Sequence, residues 1–417
     1  MPKTFLIATL GCKLNYSESS HISRELQNKG LESAVNPDYY ILNTCTVTSV
    51  AEKKARNLIA QFHRKHPNTK IIVMGCFAAR DKALVEKFPG VTKVFGSEDK
   101  MNVIHYLSYN YHAITPSRHH SFFSTFSSHD RTRSFLKIQD GCDYHCSYCA
   151  VARARGTSRS DTIENVMRNL KKIAQLNYKE VVLTGVNTGD FGRKNGETLF
   201  QLLNEINTTK PIERVRISSI EPNLLTDQII QLVTNSDVLM PHFHIPLQSG
   251  SDNILVAMKR RYKTALFADK VYQIKSVMPH ACVAVDMILG FPTETEADFE
   301  ETVQFLKKLP ISYLHVFPYS KRPQTPAIEM KPQVKDSIKK ERAKILLQLS
   351  EIKKNTFYQE HFQTERAVLF EDDIKNNTIL GFTDNYIRVS VPYSEKFINQ
   401  IKKVKLTKTN THPKFSS

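Results

Sequence analysis

The sequence predicts an α/β protein of three parts: a small N-terminal parallel α/β domain, a central partial barrel of six βα units and a small C-terminal β-barrel. Three observations support this. An apolar strand-like run ending in a small residue and a cysteine occurs three times near the start, with helix-compatible stretches between. Six further strand-like runs then alternate with helical segments. Short alternating strands close the chain.

Length and composition agree with several folded domains. The chain has 417 residues, and a domain typically takes ~150. The hydrophobic share of 41% and charged share of 24% are typical of globular proteins. No run of about 18 apolar residues occurs, so we expect a cytoplasmic protein with no membrane partner.

Charge and cysteine content indicate the kind of partner and cofactor. The net charge of +17 favours an anionic partner such as nucleic acid, the alternative being a solvated lysine surface. Seven cysteines are odd in number and spread along the chain, which argues against a disulfide framework. Metal ligation or catalysis is the better expectation.

The N-terminal domain, residues 1–110, holds the three repeats, at residues 5–12, 39–45 and 71–76. Each ends in a cysteine: Cys12, Cys45 and Cys76. Helices are expected between the strands, at residues 17–29 and 51–65, and this alternation predicts a parallel sheet. The carboxyl ends of parallel strands lie at one edge of the sheet. The three cysteines are therefore expected together, as metal ligands would be; the alternative is three small buried hydrophobic residues.

The rest of the chain divides into a linker and two domains. Residues 111–134 have no clear period and are rich in Ser, His and Arg, which predicts a linker or clamp. The barrel spans residues 135–360 and its loops after the strands should hold the site. Its strands are expected at residues 135–139, 181–186, 214–219, 242–247, 283–289 and 313–318, before a charged helix near 334–359. The β module covers residues 364–417 and ends in a tail with six lysines after residue 395.

The strongest motif is a C-x3-C-x2-C run directly after the first barrel strand, formed by Cys142, Cys146 and Cys149. Three thiolates can hold a [4Fe–4S] cluster and leave one iron without a protein ligand, open to a cofactor. The alternative is a structural zinc site completed by His145. Cys282 begins an apolar run and is expected to pack in the core.

With these motifs the chain resembles the radical S-adenosylmethionine (SAM) superfamily, and within it the methylthiotransferase family. The matching stretches are GCKLN at 11–15, NTCTVT at 43–48, LTGVNTG at 183–189, PLQSGSD at 246–252 and GFPTE at 290–294. The C-terminal module resembles the RNA-binding TRAM domain. One departure is Ala150 with the following valine, where many members have Pro and an aromatic residue, which puts any role of that pair in doubt.

The resemblance implies the cofactors and some of their contacts. It implies two [4Fe–4S] clusters, one on Cys12, Cys45 and Cys76 and one on Cys142, Cys146 and Cys149, the second of which binds SAM. The loop with Gly185 and Asn187 would hold the amino group of SAM, and Tyr148 would lie near its adenine. Ser219 is a further cofactor candidate at a strand end, with Ser218, Glu221 and Asp286, although these residues could equally orient loops. The catalytic residues stay unknown, since no Ser-His-Asp, Walker or G-x-G-x-x-G signature occurs.

The implied activity is the addition of a methylthio group to C2 of N6-threonylcarbamoyladenosine at position 37 of tRNA, beside the anticodon. The sequences GCKLN and NTCTVT most resemble the corresponding stretches of this branch of the family. Alternative acceptors are isopentenyladenosine in tRNA and an aspartate of a ribosomal protein. An alternative of another class is a non-enzymatic iron–sulfur protein that binds RNA or senses redox state, although fully ligated clusters would suit that role better.

The implied partners are the anticodon stem-loop of tRNA and an electron donor such as flavodoxin or ferredoxin. Basic segments at residues 51–56, 64–65 and 258–263 and the lysine tail favour RNA, although each alone is weak. Arg153 and Arg155, just beyond the cluster loop, are candidate cations for the carboxylate of the threonylcarbamoyl group, the alternative being that they bind the cofactor or a phosphate.

Overall fold

The N-terminal domain is a parallel α/β domain as predicted, but its sheet has five strands where the sequence indicated three, and helices cover both faces. The computed structural model describes residues 2–109, 122–128 and 131–412. The strand order is β2-β1-β3-β4-β5 and all pairs are parallel. The elements are β1 (Thr4–Thr9), α1 (Lys13–Asn28), β2 (Glu32–Ser33), β3 (Tyr39–Thr44), α2 (Ser49–Lys65), β4 (Lys70–Gly75), α3 (Cys76–Arg80), α4 (Lys82–Val85), β5 (Val91–Phe95) and α5 (Asn102–Tyr109).

Both long helices of this domain begin earlier than the sequence suggested. The first starts at Lys13, directly after Cys12, and not at residue 17. The second starts at Ser49 because the Thr48 side chain accepts the Ala51 N–H and caps it. The early start of α1 places its first turn beside the cysteine at the edge of the sheet.

The central part is a partial barrel of six parallel strands. Its elements are β6 (Thr125–Phe126), β7 (Arg133–Lys137), β8 (Gln139–Asp140), α6 (Val151–Arg155), β9 (Arg159–Ser160), α7 (Ile163–Gln175), β10 (Glu180–Thr184), α8 (Leu199–Thr209), β11 (Arg214–Ile217), α9 (Asp227–Thr234), β12 (His242–Gln248), α10 (Asp252–Ala257), α11 (Thr264–Val277), β13 (Cys282–Leu289), α12 (Glu296–Lys308), β14 (Tyr313–Pro318) and α13 (Asp336–Gln359). The order is β7-β10-β11 and then β12-β13-β14, joined by one parallel bridge between Val215 and Leu239. All six predicted barrel strands are therefore present.

One strand comes from the segment expected to be a linker. Within it, β6 pairs antiparallel with β7, through Thr125 against Lys137 and Phe126 against Leu136. Residues 110–121 and 129–130 of that segment lie outside the described residues.

Alternation along the barrel strands separates an apolar layer from a polar interior. Leu136, Val181, Val215, Ile245 and Val285 belong to the main buried core with the surrounding helices. Neighbouring positions on the same strands point to the other face, because successive side chains of a strand alternate. That interior face carries polar groups: Arg133, Lys137, Glu180, Arg216, Ser218, His242, His244, Asp286 and His315. A polar interior is suited to binding a polar ligand.

The C-terminal part is a small antiparallel sheet that curls on itself. It comprises β15 (Glu365–Lys375), β16 (Thr378–Thr383), β17 (Arg388–Pro392) and β18 (Ile401–Lys405), in the order β17-β16-β15-β18. A bridge between Val389 and Thr411 brings the chain beyond β18 back to the far edge. Its core is shared with the barrel through Cys282, Ala284 and Tyr313, so Cys282 is a packing residue as expected. Among the described residues, we find no helix with the length and hydropathy of a membrane span.

Candidate functional site

The three N-terminal cysteines follow three adjacent strands. Cys12 follows β1, Cys45 follows β3, and Cys76 begins α3 after β4. Gly11 has a φ of +101°, and a Cβ on it would lie 2.6 Å from Cys45 Cβ. Only glycine therefore permits both the left-handed turn and this close approach. Cys45 and Cys76 are buried and Cys12 is exposed at the same edge.

Hydrogen-bond donors are directed at the sulfurs of both cysteine sets. Cys45 Sγ accepts the Val47 N–H at 3.5 Å and Cys76 Sγ accepts the Ser97 hydroxyl at 3.8 Å. In the barrel set, Cys142 Sγ accepts the Tyr144 N–H and Cys149 Sγ accepts the Val151 N–H, each at 3.4 Å. Such donors stabilise the thiolates that hold an iron–sulfur cluster.

Arg260 supplies the third donor of the barrel set. Its Nη1 donates to Cys146 Sγ at 3.2 Å, and its Nη2 lies 2.8 Å from Glu221 Oε1. Burial raises the pKa of the Cys142 thiol to about 12 and that of Cys149 to about 11. These thiols are therefore neutral unless a bound cation offsets the cost of burying their charge.

The spacing of the cysteines argues against a single zinc ion. A tetrahedral zinc with Zn–S bonds of about 2.3 Å needs sulfurs about 3.8 Å apart. We looked for three His, Cys, Asp or Glu side chains whose ligand atoms all lie within 4.8 Å of one another. Among residues 2–109, 122–128 and 131–412, only His244, Asp286 and His315 meet this condition. Neither cysteine triad is that compact and His145 is exposed. The wider spacing suits a multi-iron cluster.

The loop after β10 presents an acceptor without a donor. The Asn187 N–H donates to Gln139 Oε1 at 2.9 Å and its Nδ2 donates to Asp190 at 3.0 Å, which fixes the side chain. Its Oδ1 is buried with no hydrogen-bond partner. A Cβ on Gly185 would lie 2.9 Å from the same Gln139 oxygen, so the loop packs closely. The Ser219 carbonyl anchors the loop by accepting the Thr188 hydroxyl at 2.6 Å.

A cavity of about 250 Å³ lies where the three parts of the chain meet. The N-terminal domain contributes Cys12 and Lys13, and the β module contributes Tyr386. The barrel contributes residues of β7, β11 and β12, including Arg133, Arg216, Ser218 and His242. One cysteine of the N-terminal set thus opens onto the polar interior of the barrel.

Comparison with known proteins identifies the family. Residues 136–306 match the Radical SAM superfamily and residues 4–96 match the uncharacterized protein family UPF0004. The chain is 37% identical to threonylcarbamoyladenosine tRNA methylthiotransferase MtaB of Bacillus subtilis, over 97% of this chain and 94% of that protein. It is 32% identical to tRNA-2-methylthio-N(6)-dimethylallyladenosine synthase of Clostridium tetani, over 97% and 94%. The chain belongs to the radical SAM methylthiotransferase family.

A solved structure supports the fold. A radical SAM methyltransferase, TsrM of Kitasatospora setae, solved with cobalamin and a [4Fe–4S] cluster, aligns with a TM-score of 0.58 at 13% identity. The alignment covers 79% of this chain and 77% of that one. As a radical SAM methylthiotransferase, this chain uses SAM and carries a [4Fe–4S] cluster.

Two arginines expected to face the substrate have other roles in this methylthiotransferase. Arg155 is buried and donates to Asp140 at 2.8 Å and to Asn15 at 2.5 Å, with Glu18 at 3.3 Å. Arg153 is exposed and donates to Gln324 at 2.9 Å. The proposal that Arg155 binds the substrate carboxylate is therefore wrong, because buried acids already pair with its charge.

The structure gives the surroundings of other residues that the sequence singled out. Arg260 lay in the basic segment predicted to bind RNA, but its side chain is buried beside Cys146, and Glu221 pairs with it. Asp286 accepts a hydrogen bond from His244 Nε2 at 2.7 Å, if that nitrogen carries the proton. Tyr148 packs edge-on against Phe291 with ring centres 6.5 Å apart. Lys13 lies in the GCKLN stretch and Arg260 in a basic segment, but neither pattern indicated that the first lines the cavity or that the second contacts a cysteine sulfur.

Proposed function

We propose that this chain adds a methylthio group to C2 of N6-threonylcarbamoyladenosine beside the anticodon of tRNA. The cavity that joins Cys12 to the barrel interior carries the proposal, because it places a polar binding space directly beside a cysteine of the N-terminal set and inside the barrel that carries the other set. The higher identity to the Bacillus subtilis relative favours this branch over the dimethylallyladenosine branch.

The chain offers two ligand sets of three cysteines. We assign one [4Fe–4S] cluster to Cys142, Cys146 and Cys149 and a second to Cys12, Cys45 and Cys76, each with one iron lacking a protein ligand. When bound, SAM with the first cluster supplies an organic radical, and the second cluster supplies the sulfur of the methylthio group. An electron donor such as flavodoxin or ferredoxin reduces the first cluster in the cytoplasm.

The protein's own groups position these cofactors. Asn187 Oδ1, the buried acceptor without a partner, would accept a hydrogen bond from the amino group of SAM. Gly185 would let the backbone approach that group and Tyr148 would lie near the adenine, while Ser219 holds the neighbouring loop through its carbonyl. Arg260 stabilises the thiolate of Cys146 with its guanidinium.

Exposed lysines and arginines bind the tRNA through its phosphates. On and beyond β18 these are Lys402, Lys403, Lys405 and Lys408, which are all exposed. The helix α2 presents Lys53, Lys54 and Arg56. Phosphate contacts of this kind set position on the RNA and carry no sequence information. The anticodon stem-loop would then lie across the three parts of the chain.

The division of labour between the cysteine sets is tested by iron content and products. Anaerobically reconstituted protein should hold roughly eight irons per chain. Replacing Cys142, Cys146 and Cys149 with Ala should halve the iron and abolish 5′-deoxyadenosine formation. Replacing Cys12, Cys45 and Cys76 should halve the iron, leave some SAM cleavage and stop methylthio transfer. Identical behaviour of the two variants, or zinc in the native protein, would contradict the assignment.

The acceptor is tested with purified tRNA and nucleoside mass spectrometry. We expect conversion of tRNA that carries N6-threonylcarbamoyladenosine and none of tRNA that carries isopentenyladenosine. Conversion of the isopentenyl substrate alone would reverse the branch, and modification of a ribosomal protein instead would remove the tRNA assignment. Absence of SAM cleavage would favour the iron–sulfur sensor.

A further inference from the structure

The interior cavity has an uneven charge distribution. Arg216 donates to Glu180 at 2.6 Å, and Arg133 donates to Glu371 at 2.9 Å, so both arginines already have acidic partners. No carboxylate is among the described residues that line the cavity. The cavity is therefore lined by cationic side chains, whereas the glutamates that pair with Arg216 and Arg133 do not line it.

Lys13 and Arg131 are the cations of this cavity that have no acidic partner among the described residues; Arg131 lies over the Tyr16 and Phe135 rings, whereas Lys13 is exposed at the cavity. Among the residues that the structure describes, the Lys13 ammonium group makes no hydrogen bond and no ion pair, although the side chain lines the cavity beside Cys12. It is the first residue of α1, and no side chain caps that helix. The free N–H groups at the start of a 16-residue helix add to the positive potential there.

Two neutral groups in the same wall also lack partners. Ser218 Oγ and His242 Nδ1 are buried with no hydrogen-bond partner within the described chain. Buried polar atoms are nearly always hydrogen-bonded, so two such atoms in one cavity indicate a missing polar ligand. The ligand would combine an anionic group for Lys13 with hydrogen-bonding groups for Ser218 and His242.

The size of the cavity limits the ligand to a side group. At about 250 Å³ it is smaller than typical pockets for whole small molecules, which are roughly 300 to 1,000 Å³. A threonylcarbamoyl group carries a carboxylate, a hydroxyl and an amide, which match the three kinds of unpartnered group. An isopentenyl group carries none of them and would leave Lys13, Ser218 and His242 unpaired.

We propose that this cavity binds the carboxylate-bearing N6 group of the acceptor adenosine, with Lys13 as the partner of the carboxylate. Ser218 and His242 bind its hydroxyl and amide groups. The proposal rests on the proposed function and identifies the residues that select the charged acceptor over an apolar one, because unpaired polar groups in a binding site reject a ligand that cannot satisfy them.

The test pairs a change in the enzyme with a change in the substrate. The substrates are an anticodon stem-loop RNA with N6-threonylcarbamoyladenosine and the same RNA with the threonyl carboxylate as its methyl ester. Wild-type enzyme should prefer the acid by roughly 10- to 100-fold in kcat/KM, the range for a hydrogen bond to a charged group. In Lys13→Met the acid should lose most of this advantage, while the ester loses only a few-fold.

Two further variants separate charge recognition from damage to the neighbouring cluster. Lys13→Arg keeps the charge and should keep most of the preference, at an iron content equal to wild type. Lys171→Met, on the exposed surface of α7, is the matched control and should keep the full preference. Equal loss on acid and ester in Lys13→Met, or loss of preference in Lys13→Arg, would overturn the assignment.

The outcome also separates this inference from the proposed function. Equal use of acid and ester by the wild-type enzyme would overturn the carboxylate pocket but leave the acceptor assignment standing. Failure of the wild-type enzyme to modify either threonylcarbamoyl substrate would overturn both.

Discussion

Arg260 lies between a cysteine sulfur and a carboxylate, and this position gives it influence over the barrel cluster. Its guanidinium is 3.2 Å from Cys146 Sγ and 2.8 Å from Glu221. Burial alone would lower the pKa of Arg260, but Tyr148, Tyr262 and Glu221 outweigh it, so the side chain stays charged. A positive charge beside a cluster ligand favours the reduced, more negative cluster.

We therefore predict that Arg260→Met makes the barrel cluster harder to reduce. Loss of the charged donor should lower its midpoint potential by roughly 60 mV, which corresponds to about tenfold in a one-electron equilibrium. Redox titration followed by electron paramagnetic resonance measures this. The double variant Arg260→Met with Glu221→Gln keeps the local charge balance and should recover part of the shift. Arg261→Met changes an exposed neighbour and should leave the potential unchanged; an unchanged potential in Arg260→Met would refute the role.

At the scale of elements, the position of each N-terminal cysteine is set by the turn that follows its strand. Between β1 and α1 the backbone passes through Gly11 with a φ of +101°, and its α-carbon packs against Cys45. The strand, the turn and the helix start thus place the residue that precedes Cys12 directly against Cys45.

Gly11→Ala should displace Cys45 and weaken the second cluster. An added Cβ would lie 2.6 Å from Cys45 Cβ and 2.9 Å from its Sγ, which is too close for either atom. We expect iron per chain to fall from about eight towards about four, with SAM cleavage retained. Gly30→Ala is the matched control, since Gly30 has a φ of +84° but nothing within 4 Å of its added Cβ. Equal iron loss in both variants would mean that backbone strain, and not the contact with Cys45, is responsible.

For the whole molecule, a buried ion network joins the N-terminal domain to the barrel. Glu18 on α1 accepts from Lys100 at 2.5 Å and from Lys137 at 3.1 Å, and Arg155 lies at 3.3 Å. Burial would raise the pKa of Glu18, but the Arg155, Lys100 and Lys137 charges outweigh it and hold that pKa well below its ordinary value. The carboxylate is charged and holds three cations from both domains together.

Glu18→Gln should therefore destabilise the protein strongly. Removing one partner of a buried ion pair typically costs about 3 to 5 kcal/mol, because it leaves the other charges buried and uncompensated. Urea unfolding of the reconstituted protein measures the loss. Glu32→Gln, at an exposed position, should change the free energy of unfolding by less than about 0.5 kcal/mol. A loss for Glu18→Gln as small as this control would show that the network adds little to domain docking.

The β module is also integrated into the barrel, which changes how its role in RNA binding must be tested. Arg216 donates to the carbonyls of Thr383 and Asp384, each at 2.7 Å, and the core of the module includes barrel residues. Truncation after residue 364 would remove these contacts and expose barrel core. Surface substitutions are therefore the better test, because they leave these contacts in place.

Replacing Lys402, Lys403 and Lys405 with Gln should weaken tRNA binding and make it less dependent on salt. Each lost phosphate contact should reduce the slope of log affinity against log salt by about 0.7 to 0.9. Filter binding across a salt series measures the slope. A triple control with exposed lysines elsewhere, Lys171, Lys172 and Lys340, should keep the wild-type slope. A slope that changes equally in both triple variants would place the RNA elsewhere.

The sequence by itself determined the cysteine sets and the strands that carry them. Cys142, Cys146 and Cys149 lie within eight residues of chain, and each N-terminal cysteine follows its own strand directly, so local spacing and period predicted both sets. The six barrel strands could likewise be predicted, because their residues alternate between an apolar layer against the helices and the polar interior of the barrel.

Only the tertiary structure decided which charged side chains serve the site. Arg155 meets Glu18 across 137 positions and Arg260 meets Cys146 across 114 positions of the chain. An arginine in a basic segment has the same local pattern whether it faces solvent, a buried acid or a cluster ligand. Lys13 follows a cluster cysteine in the chain, yet its place in the cavity depends on how the N-terminal domain packs on the barrel. Spacing along the chain specifies ligands that are close in sequence, whereas the partners of charges are set by contacts between distant segments.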